Sequence, residues 1–236
     1  MKIKNILIAG LASVLVVLFI VSCSPLKKYK SSVQGWEADI RKFEQLDSIQ
    51  QYPDDAILFM GSSSIRLWNT LEEDMKPYSV IQRGFGGSKF SDVAWYTPRI
   101  VYPHKCSAIV IFVANDIIGS DEDKTPAEVA SLFSYTVKTI RKKLPEAPVF
   151  YIQVTPTERR WDVWIKIQEG NTRIKNLAPK LHKVYYIETA RYFLNQEGNP
   201  NQELFIKDKL HLNEEGYKVW TGIIKRNLDA VLKKQI

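Results

Sequence analysis

Short apolar runs recur along the middle of the chain, each bounded by polar residues, glycine or proline. Their length of four to six residues favours buried strands over helices. We predict five strands, which cover Ile57–Met60, Ser79–Gln82, Ala108–Val113, Val149–Val154 and Val184–Ile187.

Segments around these runs show the apolar spacing of helices. Trp36, Ile40 and Phe43 recur at this spacing with charged residues between them, which predicts an amphipathic helix packed on the domain. Longer helices are predicted further along from their caps or their spacing: Thr125–Leu144, Trp161–Leu181, with a weak point at Gly170, and Glu214–Lys234. Strands that alternate with helices indicate one α/β domain, residues 34–236, with a parallel sheet covered by helices on both faces.

The first 22 residues have the layout of a secretory signal. Lys2 and Lys4 precede an uncharged apolar run, residues 6–21, which is somewhat short for a membrane span. Cys23 follows directly, and this arrangement resembles a bacterial lipoprotein signal, in which the cysteine is lipidated and becomes the new N-terminus. We therefore expect residues 1–22 to be removed, residues 23–33 to form a tether, and the domain to be exported and anchored to a bacterial membrane on its periplasmic or cell-surface side. An uncleaved membrane anchor is the alternative.

The composition and charge of the chain exclude some classes of protein and of binding partner. The chain has 236 residues, enough for one α/β domain, and its 45% apolar and 25% charged residues exclude a disordered chain. The net charge of +7 falls by two when Lys2 and Lys4 are removed. This excess is modest and forms no basic stripe with interleaved aromatic residues, so we expect no nucleic-acid partner. If Cys23 is lipidated, Cys106 has no disulfide partner and is predicted to lie in the core.

A turn rich in serine follows the first predicted strand. Gly61 permits a sharp turn, and Ser62, Ser63 and Ser64 come directly after it. A hydroxyl just past the carboxyl end of a buried parallel strand lies where open α/β sheets bind ligands. The residues alone leave open which serine is a nucleophile. A strand-to-helix turn capped by serine is the simpler interpretation of this stretch by itself.

Polar or glycine-rich clusters also follow later strands. The segment 83–88, with three glycines, lets backbone N–H groups approach a ligand, and the amide of Asn115 can donate to a developing oxyanion. Near the C-terminus, Asp208 can hold one ring nitrogen of His211 and leave the other free as a base. Taken singly, each has a structural explanation: a flexible turn, an Asx turn or a surface ion pair.

Together and in this order, the clusters resemble those of the SGNH hydrolases, also called GDSL-type esterases and lipases. The resemblance extends from about Trp36 to the C-terminus. It implies a three-layer α/β/α domain with a flavodoxin-like, five-stranded parallel sheet, to which this chain adds an N-terminal amphipathic helix. It also implies a serine ester hydrolase that uses no cofactor and no metal.

The resemblance assigns roles to residues of this sequence. Ser63 becomes the nucleophile, His211 the base and Asp208 its orienting partner. The oxyanion donors become the N–H of Ser63, the N–H of Gly87 and the side chain of Asn115.

Two positions depart from the family pattern. Ser62 replaces the usual aspartate, a change shared by a subgroup whose nucleophile block reads Gly-Ser-Ser-Ser-Ile. Val113 replaces a glycine, and we expect this β-branched residue to tilt the Asn115 side chain or to narrow the pocket. Such a change affects the rate more than the type of reaction.

The expected reaction is removal of a short acyl group, such as acetyl, from a glycan or a lipid. Aromatic residues and arginines near the predicted strand ends are candidates for contact with substrate: Arg66, Trp68, Arg159 and Trp161. Two alternatives remain. In one, the enzyme transfers the acyl group to a glycan hydroxyl instead of to water, and in the other, the chain is a catalytically weak surface binding protein with the same fold. The sequence indicates no particular oligomeric state.

Overall fold

A computed structural model describes residues 26–233 of the chain. The predicted signal, residues 1–22, and the predicted lipidation site, Cys23, lie outside the described residues.

A parallel sheet forms the centre of the domain, with the strand order β2-β1-β3-β4-β5. The strands are β1 (Ile57–Gly61), β2 (Val80–Gly84), β3 (Ala108–Phe112), β4 (Val149–Ile152) and β5 (Val184–Ile187). The chain passes from β1 to β2 on one side and then returns to β3 on the other. The strand order therefore reverses between β1 and β3, and in such sheets the crevice at the carboxyl ends of these two strands is where ligands bind.

Helices cover both faces of this sheet. Within residues 26–233 there are seven α-helices: α1 (Glu37–Ile49), α2 (Ser63–Arg66), α3 (Leu71–Asp74), α4 (Phe90–Val101), α5 (Pro126–Arg141), α6 (Trp164–Leu177) and α7 (Glu214–Leu232). Buried residues of α1, α4, α5 and α6 pack on one face, and those of α2, α3 and α7 pack on the other. This arrangement confirms the predicted three-layer α/β/α domain.

Several element boundaries differ from prediction. β3 and β4 end earlier than expected, because the chain leaves the sheet to form the loops of the site. The predicted helix 161–181 is composite: a 3₁₀ helix (Glu158–Val163) precedes α6, and another (Ala178–Lys180), with proline in its first turn, follows it. The expected weak point at Gly170 does not interrupt α6, in which Gly170 is buried. Helix α4, which the apolar spacing did not predict, begins after Lys89, whose backbone N–H donates to Asp92 Oδ2 at 2.7 Å.

The segment assigned to a tether begins to pack against the domain at Leu26. The exposed fractions of Leu26 and Val33 are 6% and 1%, and the hydroxyl of Tyr96 donates to the carbonyl oxygen of Val33 at 2.9 Å. Residues 26–33 are therefore part of the domain surface, because their apolar side chains are buried on it. None of the helices within 26–233 combines the length and the apolar character needed to cross a bilayer.

Candidate active site

The turn after β1 places Ser63 at the carboxyl edge of the sheet. Gly61 has a φ of +142°, and a Cβ built on it would lie 1.9 Å from the carbonyl oxygen of Phe112. The N–H of Ser62 donates to that same oxygen at 3.0 Å, and α2 begins at the next residue. The close approach of β1 and β3 thus requires glycine and sets the position at which Ser63 leaves the sheet.

Ser63, His211 and Asp208 form a continuous hydrogen-bonded chain. His211 Nε2 lies 2.9 Å from Ser63 Oγ, although the two residues are 148 positions apart. His211 Nδ1 lies 2.6 Å from Asp208 Oδ2. In a neutral imidazole whose Nδ1–H donates to this carboxylate, Nε2 carries no proton and can accept that of the serine hydroxyl.

Backbone N–H groups hold the Asp208 carboxylate in place. Its Oδ1 accepts from the N–H of His211 at 3.0 Å and from that of Leu210 at 2.9 Å. Partial burial alone would raise the pKa of Asp208, but the bonds from the His211 backbone, the His211 ring and Leu210 together lower it. The aspartate therefore stays charged at neutral pH and can stabilise an imidazolium.

The loop that carries His211 is fixed at both ends. Phe205 pairs with Leu212 in a short antiparallel bridge, and the N–H of Ile206 donates to the carbonyl oxygen of His211 at 2.9 Å. Asn213 then caps α7, since its side chain accepts from the N–H of Gly216 at 3.0 Å. These contacts hold the imidazole at the edge of the sheet.

The three predicted oxyanion donors each have a hydrogen available for an anion. Within residues 26–233 the N–H groups of Ser63 and Gly87 donate to no other group. Asn115 donates one of its two Nδ2 hydrogens to the carbonyl oxygen of Ser88, at 3.1 Å, and retains the other. Gly87 has a φ of +79°, borders a cleft beside Trp36, and is not among the residues that line the pocket at Ser63. Its role as an oxyanion donor stays a prediction.

Ser63 and His211 open into a pocket of about 360 Å³, a volume that includes its mouth. Three buried side-chain atoms on its wall have no hydrogen-bond partner among the described residues: Thr155 Oγ1, Thr157 Oγ1 and Trp220 Nε1. The wall is completed by the following residues: Ser62, Ser64, Phe112, Ala114, Asn115, Arg160, Leu210 and Leu212. The pocket is therefore narrow and partly polar.

Trp68 does not lie at the mouth of the site, and its prediction as a substrate contact is wrong. Its side chain is fully buried, stacks on Tyr217 at 5.1 Å between ring centroids, and donates to Asp74 at 2.6 Å. The short helix α2 turns this residue into the core beneath the nucleophile. Arg66 is exposed and crosses over Gly86, outside the pocket.

The two other predicted contacts also lie outside the pocket. Arg159 is exposed, and its backbone N–H donates to the carbonyl oxygen of Lys209 at 3.2 Å. Trp161 is half-buried, stacks on Trp164, and borders a second cleft. That cleft carries amide and carboxylate side chains: Glu158, Asn195, Gln196, Asn199, Asn201, Gln202 and Glu203. The side chain of Lys209, in the His211 loop, contacts Glu158 at the edge of this cleft.

Arg160 lies on the wall of the pocket, although no pattern in the sequence predicts it there. Its two neighbours point elsewhere, and the irregular backbone of this 3₁₀ segment gives no period from which the inward residue could be predicted. Val113 is buried in the core and borders a separate cavity beside α5 and α6, so it does not narrow the pocket at Ser63. The other expected effect, a tilt of the Asn115 side chain, stays a prediction.

Within the described residues, no group of three or more histidine, cysteine, aspartate or glutamate side chains is arranged to hold a metal ion.

Comparison with protein families gives one match. The model of the GDSL-like lipase/acylhydrolase family matches residues 47–219. No curated protein sequence matches the chain.

Solved structures with the same fold are numerous. A GDSL-like lipase from Bacteroides thetaiotaomicron is 20% identical, with a TM-score of 0.71 over 82% of this chain and 98% of that chain. A protein from Bacteroides fragilis designated an acylhydrolase is 22% identical, with a TM-score of 0.73 over 83% and 98%. An acetyl xylan esterase from Geobacillus stearothermophilus is 12% identical, with a TM-score of 0.62 over 74% and 94%. At these identities the likeness is one of fold.

Proposed function

The chain belongs to the GDSL-like lipase/acylhydrolase family and is a carboxylic ester hydrolase, and on this premise we propose that Ser63, His211 and Asp208 are its catalytic triad. The observation that carries the proposal is the position of the His211 ring, 2.9 Å from Ser63 Oγ on one side and 2.6 Å from Asp208 on the other. This is the relation of nucleophile, base and orienting carboxylate that acyl transfer through serine requires.

The reaction proceeds in two halves. Ser63 Oγ attacks the ester carbonyl carbon while His211 Nε2 takes the hydroxyl proton, and Asp208 stabilises the imidazolium. The resulting oxyanion accepts from the N–H groups of Ser63 and Gly87 and from Asn115 Nδ2. His211 then protonates the departing alcohol, which leaves an acyl-enzyme. Water, deprotonated by His211, attacks the acyl-enzyme and releases the acid.

We propose a short acyl group such as acetyl. The side chains of Phe112, Leu212 and Trp220 close the pocket beside Ser63, and its polar atoms suit a small acyl group better than an extended alkyl chain. The fold shared with an acetyl xylan esterase supports the same choice.

A glycan is the proposed alcohol. The cleft beside Trp161 adjoins the His211 loop and is lined by amides and carboxylates, which suit hydroxyl groups, and by an aromatic face, which suits a sugar ring. An acyl chain of a lipid would find few apolar contacts there.

Labelling with a fluorophosphonate tests the nucleophile. We expect wild type to be labelled, Ser63→Ala to be unlabelled, and the neighbouring variant Ser64→Ala to keep its label. Ester hydrolysis in Ser63→Ala should fall by about 10⁶-fold. Labelling or hydrolysis that persists in Ser63→Ala refutes the assignment.

A series of p-nitrophenyl esters of increasing chain length tests the proposed acyl group. A preference for long chains over acetate would contradict the proposal of a short acyl group.

We also propose that the chain is exported and anchored to a membrane through lipid on Cys23. The support is the sequence alone: a basic start, an apolar run and the cysteine directly after it. Metabolic labelling with a radioactive fatty acid should mark wild type and not Cys23→Ser. Equal labelling of both would refute the proposal.

A further inference from the structure

The guanidinium of Arg160 binds the backbone and the side chain of the loop that follows β3. Its Nη1 donates to the carbonyl oxygen of Ala114 at 2.6 Å, and its Nη2 donates to Asn115 Oδ1 at 2.5 Å. Arg160 departs from helical geometry inside its 3₁₀ segment, with φ −124° and ψ 20°. Because of this break in the backbone, the side chain of Arg160 points in a different direction from that of exposed Arg159.

Arg160 has no carboxylate within salt-bridge distance among the described residues. Burial lowers the pKa of its guanidinium to about 10, and more distant attraction to Asp116 and Asp123 opposes this effect. The side chain is still a cation at neutral pH. A half-buried cation whose hydrogen bonds go only to neutral oxygens lowers stability unless those bonds offset its desolvation.

We propose that Arg160 is a positioning residue that fixes the side-chain amide of Asn115 as an oxyanion donor, an inference that rests on the proposed function. A guanidinium only donates and a carbonyl only accepts. With Arg160 on one side and the carbonyl of Ser88 on the other, Oδ1 must face the arginine and Nδ2 must face Ser88. The opposite flip of the amide would bring donor against donor and acceptor against acceptor.

The contact also changes the strength of the donor. A cation at Oδ1 draws electron density from the amide and makes the free Nδ2–H a better donor to a developing negative charge. The same cation adds a favourable field at the place where the oxyanion forms. Arg160 thus acts on the reaction through Asn115. It does so from the segment that follows β4, whereas Asn115 itself follows β3.

The chain offers a matched control for the effect of losing an arginine. Arg141 is also half-buried and also binds carbonyl oxygens, those of Leu144, Ala147 and His182. It lies at the end of α5, away from the residues that line the pocket. Arg141→Met should therefore lower the melting temperature and leave kcat unchanged.

A double-mutant cycle on the full-length chain tests the proposal. The variants are Arg160→Met, Asn115→Ala and their combination, with kcat and KM measured for p-nitrophenyl acetate. We expect Arg160→Met to lower kcat by about 10- to 100-fold, part of the loss caused by removal of a whole oxyanion donor, with KM within about threefold of wild type. In the Asn115→Ala background the same change should lower kcat by less than about threefold. Equal losses in both backgrounds overturn the proposal.

Two further measurements keep the test decisive. If Arg160→Met does not fold, Arg160→Lys replaces it in the same cycle, because it keeps the charge and loses the two-pronged geometry. The side-chain amide signals of Asn115, assigned by ¹H–¹⁵N NMR from their absence in Asn115→Ala, should shift in the Arg160 variant, and unchanged signals overturn the proposal. Esterase activity that is absent in wild type, or retained in Ser63→Ala, counts against the proposed function instead and leaves the NMR result to judge Arg160.

Discussion

A methyl group added at Gly61 perturbs the point at which the nucleophile leaves the sheet. In Gly61→Ala the new Cβ would lie 1.9 Å from the carbonyl oxygen of Phe112 and 2.8 Å from its carbonyl carbon. Both atoms are backbone of the neighbouring strand, so no side-chain rotation relieves the contact. Either β1 separates from β3 or the turn that leads to Ser63 changes its path.

The structure gives the size of the expected effect. Alanine at the φ of Gly61 costs about 1–3 kcal/mol in backbone strain alone. Restoring ordinary contact distance requires a shift on the order of 1 Å, which also weakens the hydrogen bond from Ser62 to Phe112, worth about 1 kcal/mol. We expect a total loss of about 2–4 kcal/mol in the free energy of unfolding. A displacement of this size should lower kcat of the folded fraction by about 100-fold.

Gly198 provides the control, because it too has a positive φ, +79°, and nothing lies within 4 Å of its built Cβ. Gly198→Ala reports the cost of a Cβ at a positive φ without the contact, at +79° instead of +142°. The assay is urea denaturation of both variants, followed by kcat for p-nitrophenyl acetate under conditions where both are folded. Equal losses of stability in the two variants, or full activity in Gly61→Ala, would refute the reasoning.

Three other perturbations have outcomes fixed by the same structure. Asp208→Asn should lower kcat by about 10⁴-fold at pH 7. Since the pKa of Asp208 is lowered in the folded state, its stabilising contribution is complete above about pH 4 and is lost as the pH falls through the folded value. The difference in unfolding free energy between wild type and Asp208→Asn should therefore shrink between pH 6 and pH 2, and a constant difference contradicts this. Lys124→Met leaves the buried carboxylate of Asp116 without its partner at 3.1 Å and should cost about 3–5 kcal/mol, with partial recovery on adding Asp116→Asn; no recovery would count against the pairing. Trp68→Ala should cost about 3–5 kcal/mol and leave KM unchanged, whereas a raised KM would restore Trp68 as a substrate contact.

The sheet could be predicted because buried parallel strands are apolar along their whole length. Ile57 to Met60 are all fully buried, so no polar residue breaks the run, and β5 matches its predicted bounds. The structure also brings Ser63, Asp208 and His211 together, as their order along alternating strands and helices leads one to expect. In a doubly wound sheet every βα loop opens on the same edge, so distance along the chain does not separate them.

The side chains around the site could not be predicted in the same way. Trp68 follows the nucleophile by five positions, but α2 is a single turn, and one turn does not establish which face is buried. Arg159 and Arg160 are chemically identical neighbours, and only the non-helical backbone at Arg160 sends one inward. The direction of each of these side chains depends on the tertiary contacts of its loop, and the spacing of apolar residues in the sequence carries no information about those contacts.

The proposed oxyanion donors come from the ends of three strands, and two of them, Ser63 and Asn115, are held in place by different contacts. The turn at Gly61 fixes Ser63 through backbone contact with β3, whereas the amide of Asn115 is fixed from β4 through Arg160. A substitution at Gly61 thus moves the nucleophile, and a substitution at Arg160 reorients a donor. Ser88 links the two places, because its Oγ donates to the carbonyl oxygen of Gly61 at 3.4 Å and its carbonyl oxygen accepts from Asn115 Nδ2 at 3.1 Å. Because a donor is useful only within about 3 Å of the oxyanion, an error at either place forfeits much of the stabilisation that the other has preserved. Substitution at Gly61 and at Arg160 is therefore expected to reduce catalysis by two routes, one through the nucleophile and the other through an oxyanion donor.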